Sequence, residues 1–206
     1  MNPKALKTLL NFVYLNQLRH GPLTEQELTG VARGEISEAV DSGYLTEKRE
    51  ENTPKFSLTE KGRNQIKVVL AGGVYDVLHL GHLAALTEAK TLGDLLVTVI
   101  ATDVTVEMLK GRRPVFPEED RRLLVEGLKP VDKAILGYED VGMGYEEVLV
   151  EVMPDIIAFG YDQQNLEKNV REIIDRRKLK IETVRLSRFE HEKYVSSSAV
   201  RAKLSK

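Results

Sequence analysis

KVVLAGGVYDVLHLGHL, residues 67–83, decides how this chain is read. After its first residue the opening run is continuously apolar, the pattern of a strand covered on both faces. Gly72 and Gly73 follow, and then His79 and His82 stand three residues apart around Gly81. A strand, a glycine turn and a helix start form one unit. Glycine lets the backbone turn and approach a ligand closely, and the free N–H groups of a helix N-terminus favour an anion. On their own the two histidines fit a phosphate site, a solvated loop residue and helix cap, or, more weakly, a metal site, since His20 and His191 bring no evident ligand spacing.

Outward from this unit, short apolar strands alternate with amphipathic helices. DLLVTVIA, DKAIL, DIIAFG and KIETVRL read as strands, with helices expected at 82–92, 104–110, 118–128, 145–152 and 166–177. That alternation predicts an α/β domain over 66–206, a Rossmann-like doubly wound parallel sheet with helices on both faces. Ligands sit at the carboxyl ends of the strands in such sheets, so the chemistry is expected in the segments that follow them. Neither a Walker A loop nor a GxGxxG fingerprint is present, and GMG at 142–144 lacks both a third glycine and a preceding strand.

Residues 1–65 read as a small α+β domain. Asn2 caps a helix with Pro3 at its first position, and Gly21 closes it. Thr24 and Glu27 have capping-box spacing and predict a second short helix. A third is expected at 35–42, before Gly43, and YLTEKR and KFSLTEKGR flank a turn at 51–54.

Composition narrows the classes further. The chain has 206 residues, 42% of them hydrophobic, with thirty basic against thirty-two acidic side chains and a net charge of −2. Such a balance gives no whole-molecule attraction for nucleic acid or anionic membrane. Cysteine is absent, which excludes disulfides, thiolate zinc sites and cysteine nucleophiles. No apolar run approaches membrane-span length, and ALKTLLNFVYL is interrupted by Asn11 and followed by no small-residue cleavage site. A cytoplasmic location is the expectation.

Three helices and a two-stranded ribbon resemble a winged helix-turn-helix domain, and FSLTEKGR is similar to the way many such domains end. DNA is not the favoured partner of this domain. Its third helix presents Glu35, Glu38 and Asp41 where base-reading Arg, Lys, Asn or Gln would be needed, and residues 1–65 hold equal numbers of acidic and basic side chains. Dimerisation, enzyme docking and ligand sensing stay open for it.

VYDVLHLGH resembles the HxGH signature of the nucleotidyltransferase superfamily, which includes cytidylyltransferases, several adenylyltransferases and archaeal-type FAD synthases. VSSSAVR, at 195–201, is similar to that superfamily's second signature, a hydroxyl-rich turn before the last helix. This resemblance covers residues 66–206. It implies His79, His82, Lys110 and Arg112 as catalytic residues. Gly72, Gly73, Val74, Tyr75, Gly81, Asp162, Ser196, Ser197 and Ser198 are implied on the nucleotide, and Asp76, Asp103, Arg113 and Arg121 on the substrate, with Asp76 alternatively orienting the signature loop.

The implied reaction is attack by a substrate phosphate on the α-phosphorus of a nucleoside triphosphate, with release of pyrophosphate. Mg²⁺ would arrive with the nucleotide, ATP ahead of CTP, and no resident metal site is expected. KPVDKAILG, PDIIAFGYDQ and YVSSSAV look most like archaeal-type FAD synthases, which makes FMN the favoured acceptor. A glycerol phosphate or a sugar or heptose phosphate is the alternative. The cysteine pair common near the C-terminus of those FAD synthases has no counterpart here. Related enzymes imply a homodimer, and a DNA-binding regulator with a nucleotide-sensing domain is the reading from another class.

Overall fold

The computed structural model describes residues 1–139 and 144–189, and the chain divides into two compact units, Met1–Lys67 and Val68–Lys206. In the first unit α1 (Pro3–Gln17) starts at Asn2, whose side chain accepts from the Lys4 N–H. It is followed by β1 (Leu23–Thr24), α2 (Arg33–Asp41), β2 (Leu45–Glu50), β3 (Thr53–Leu58) and a single turn of helix, α3 (Glu60–Arg63). The strands form an antiparallel sheet in the order β1-β3-β2. Glu51 and Asn52 link β2 to β3 with φ of 47° and 65°, the pair of left-handed residues that suits a two-residue hairpin turn.

The helix expected from Thr24 is not formed. Thr24 and Glu27 make the reciprocal bonds of a capping box, 2.7 Å from the Thr24 N–H and 3.3 Å from the Glu27 N–H. The chain nevertheless passes only through turns, because Gly30 takes a φ of 81° within six residues of the cap. So short a segment cannot offset the cost of nucleating a helix. Leu23–Thr24 adds an edge strand to the sheet instead.

The second unit runs β4 (Val68–Gly73), α4 (Leu80–Lys90), β5 (Leu95–Ile100), α5 (Asp103–Lys110), α6 (Glu118–Glu126), β6 (Lys133–Leu136), α7 (Gly144–Val152), β7 (Ile156–Phe159), α8 (Gln164–Arg177) and β8 (Glu182–Arg185). The five strands form one parallel sheet in the order β6-β5-β4-β7-β8. This is the Rossmann-like α/β arrangement predicted from the alternation of elements. Its core holds Val69, Ala71, Leu96 and Ile156 from the strands, with Leu86, Ala89 and Val125 from the helices. Among the described residues no helix is long and apolar enough to cross a membrane.

Strand order makes β4 the switch point. The chain leaves β4 for β5 and β6 on one side, and β7 and β8 build on the other. β4 pairs with β5 along its whole length, Val68 opposite Leu95 to Gly73 opposite Ile100. Against β7 the ladder runs only from Val69 opposite Ile156 to Ala71 opposite Ala158. Beyond Ala71 the two strands part, and a crevice opens where such sheets bind ligands.

Candidate active site

A cavity of about 960 Å³ fills that crevice, at the upper end of small-molecule sites. Its first wall is the segment after β4. Gly72 and Gly73 are still strand residues, so the turn expected of them falls at Tyr75, with φ 51°. Gly73 is small for another reason: a Cβ there would meet the buried Tyr75 ring at 2.8 Å.

His79 is the N-cap of α4 and His82 lies in its first turn. Their rings stack with centroids 3.8 Å apart, and Tyr75 packs on His82 at 5.1 Å. Both Nδ1 atoms are buried, without a hydrogen-bond partner among the described residues. Burial pushes both imidazoles below the ordinary histidine range. His82 falls to about 4, helped by repulsion from His79 and Lys110. At neutral pH each ring is therefore uncharged and carries a single N–H.

Lys110 and Arg112 supply positive charge to the cavity wall, Lys110 near enough to act on His82. Burial and the neighbouring Arg112 lower the Lys110 pKa, against an opposing pull from Asp162. Arg112 lies 3.7 Å from the buried Asp76 carboxylate, which also accepts the Val115 N–H at 2.5 Å. Asp76 thus lines the cavity and anchors the basic loop through Val115 and Arg112. Gly81, Val74 and Asp162 complete the group of expected residues that the fold brings to the cavity.

Three others lie elsewhere. Arg121, expected on substrate phosphate, is fully buried under the loops. It donates to Phe116 O at 3.0 Å, Val74 O at 2.5 Å, Ala101 O at 2.8 Å and the Asp103 carboxylate at 2.7 Å. A guanidinium so engaged ties the turns after β4 and β5 to the basic loop and has little left for a ligand. Asp103 is its ion-pair partner and does not line the cavity. Arg113 is exposed, bonds Glu107 at 3.0 Å, and also stands off the wall. Ser196, Ser197 and Ser198 fall outside the described residues.

The cavity has walls that motif reading passed over. Gln163 and Tyr161 follow β7; Arg188 and Phe189 follow β8, with the Arg188 guanidinium 5.6 Å from the Tyr161 ring centre. Their place after strands was the available signal. Glu88 of α4 accepts from both the N–H and the hydroxyl of Ser187, fixing the exit of β8 beside the cavity.

A parallel sheet whose switch-point crevice holds paired imidazoles and a basic rim defines an α/β domain that handles phosphorylated ligands. A family profile described as Cytidylyltransferase-like matches residues 70–203, and the chain belongs to that family. It is 47% identical over 121 residues to the FAD synthase of Aciduliprofundum boonei, a match spanning 59% of this chain and 78% of that protein. The FAD synthase of Thermoplasma acidophilum is 46% identical over 136 residues, 66% of this chain and 92% of its own. Among solved structures, the lipopolysaccharide core biosynthesis protein from Thermoplasma volcanium GSS1 is 42% identical with a TM-score of 0.56, covering 61% of this chain and 99% of its own.

Proposed function

We propose that this nucleotidyltransferase transfers the adenylyl group of ATP to FMN, forming FAD and pyrophosphate. The observation that carries the reading is the 46–47% identity to two FAD synthases, one of them matched over 92% of its length, in a chain whose switch-point cavity holds His79, His82, Lys110 and Arg112. An FMN phosphate oxygen bonds to the α-phosphorus as the bridging bond to the β-phosphate breaks. Because that phosphate is already anionic, the step needs no general base. Catalysis rests on alignment and on donors placed where charge develops. His79 and His82 donate to the α-phosphate oxygens, and Lys110 and Arg112 hold the triphosphate. Ser196, Ser197 and Ser198 are assigned to the same task by their signature.

Asp162 is an exposed carboxylate on the wall, and among the described residues no three metal-ligating side chains cluster. That set fits Mg²⁺ carried in on the triphosphate, with phosphate and water supplying most of its ligands. When bound it screens phosphate charge.

The reading extends to a homodimer acting in the cytoplasm. In support of the dimer, α6 buries Arg121 and Val125 and leaves Leu123 and Leu124 at least half exposed. We assign the N-terminal unit to the winged-helix type and to docking or sensing ahead of DNA reading, since Arg33 at the start of α2 is held by Glu25 at 2.8 Å. A second reading, a sugar-phosphate acceptor, draws support from the lipopolysaccharide core biosynthesis protein named above. Pyrophosphate release with ATP or CTP against FMN, glycerol 3-phosphate and sugar 1-phosphates separates them: FMN with ATP should lead, and a sugar phosphate leading instead overturns the flavin assignment. No release with any pair, together with sequence-selective DNA retention, overturns the enzyme.

A further inference from the structure

Where β4 and β7 part, one side chain spans the gap. Gln163 lies at the N-cap of α8, makes no capping bond with its side chain, and lines the cavity. Its Oε1 accepts the Gly160 N–H at 2.8 Å, and its Nε2 donates to Gly72 O at 2.9 Å. Gly72 sits one residue past the last β4–β7 pair, and Gly160 directly follows β7. In a parallel sheet the Gly72 carbonyl would take its hydrogen bond from the neighbouring strand, which has already turned away. The Gln163 amide stands in for the missing peptide group, with an acceptor toward one strand and a donor toward the other. Because both partners are backbone groups of fixed polarity, the orientation of the amide is determined.

We propose that Gln163 is a positioning residue that fixes the width of the crevice between β4 and β7 and thereby the affinity for the nucleotide. The proposal rests on the reading of the cavity as a nucleotide site. On the far side the same β4 backbone is held by Ala101 N to Gly73 O at 2.9 Å and by Arg121 to Val74 O. Gln163 is thus the tie on the β7 side of a segment gripped from both. Without it, Gly72 O and the Gly160 N–H lose their partners at the cavity floor, and the two walls are free to separate.

Two variants of the full chain test this. Gln163→Met keeps length and removes both bonds. Gln163→Glu keeps the acceptor and replaces the donor with a carboxylate that faces the Gly72 carbonyl, until a proton restores the donor. Calorimetric titration with ATP should show binding about tenfold weaker for Gln163→Met, on the scale of one or two lost hydrogen bonds. For Gln163→Glu the deficit relative to wild type at the same pH should be as large at pH 8 and at least about threefold smaller at pH 5, because a carboxylate held against the Gly72 carbonyl is pushed above the ordinary glutamate range and takes up its proton there. Exchange of the Gly160 amide hydrogen should quicken in the Met variant.

Binding within twofold of wild type in Gln163→Met, unchanged Gly160 exchange, or a pH-independent deficit in Gln163→Glu overturns the proposal. If Gln163→Met does not fold, the Glu variant alone carries the test. Should wild type bind ATP yet form no FAD, the flavin reading falls and the binding comparison still decides on Gln163. Binding of neither ATP nor CTP by wild type overturns both.

Discussion

His79 and His82 stack face to face, ring centres 3.8 Å apart and planes 22° from parallel, at the N-terminus of the helix that follows the central strand. Two imidazoles that close cannot both hold a charge cheaply, and burial opposes even one. In the proposed reaction they meet the α-phosphate as neutral donors.

If both rings donate to the same developing charge, losing either should be costly. His79→Ala and His82→Ala are each expected to lower kcat by about 10²-fold or more, the scale of one oxyanion donor. Because the rings touch, the double variant should lose less than the product of the two losses. Steady-state kinetics on the three variants checks this, and wild-type turnover in both single variants refutes the assignment.

Stability should fall as the solution is acidified. His82 has a folded pKa of about 4 against an ordinary value near 6.5, so the unfolded chain binds more protons between those limits. The neutral ring's contribution is complete above about pH 6.5 and is lost as pH falls through 4, a difference of about 3 kcal/mol at most. Denaturant unfolding between pH 4 and 7 should show that slope, and His82→Gln should flatten it.

Arg121→Ala should act on the fold as well as the rate. Removing the guanidinium leaves three carbonyls and the Asp103 carboxylate without their donor; with Asp103 about a third exposed and solvated in part, the loss is on the order of 2–3 kcal/mol, mostly from the orphaned carbonyls. Arg121→Lys should recover little, since an ammonium cannot reproduce the planar fork. Thermal melts of both variants test the point. A melting temperature unchanged from wild type would return Arg121 to a role on the ligand.

Gly72→Ala and Gly73→Ala should separate. A Cβ on Gly72 meets its nearest neighbour, Val99 O, at 3.9 Å, whereas one on Gly73 strikes the buried Tyr75 ring. Only the second should displace Tyr75 and, with it, His82. The expected outcome is near-normal melting for Gly72→Ala and losses of both stability and kcat for Gly73→Ala.

The order of strands and helices was legible because buried parallel strands leave unbroken apolar runs, and those runs need no tertiary context. His79 and His82 stand out by their place after a strand, whereas Lys110 and Arg112, at and beyond the end of α5, are pointed to only by the family resemblance. By charge alone Arg121 is not distinguished in the sequence, because it follows a basic loop and reads like the arginines there. Its phase with Val125, four residues on, marked the buried side of α6, and the exposed Leu123 and Leu124 reverse the usual pattern. The Thr24 helix failed because a cap signals a start but no length. Gln163 was invisible because its role depends on two strands diverging, with its partner Gly72 lying 91 residues away in sequence.

In the proposed reaction the phosphate of FMN attacks the α-phosphorus of ATP. The most direct measurement incubates the protein with Mg²⁺, FMN and ATP labelled at the α-phosphorus, then separates flavins from pyrophosphate. The label is expected in FAD, with unlabelled pyrophosphate in equal amount and loss of both products in His79→Ala and His82→Ala. FMN recovered unlabelled, or label released from ATP without a flavin product, would contradict this route.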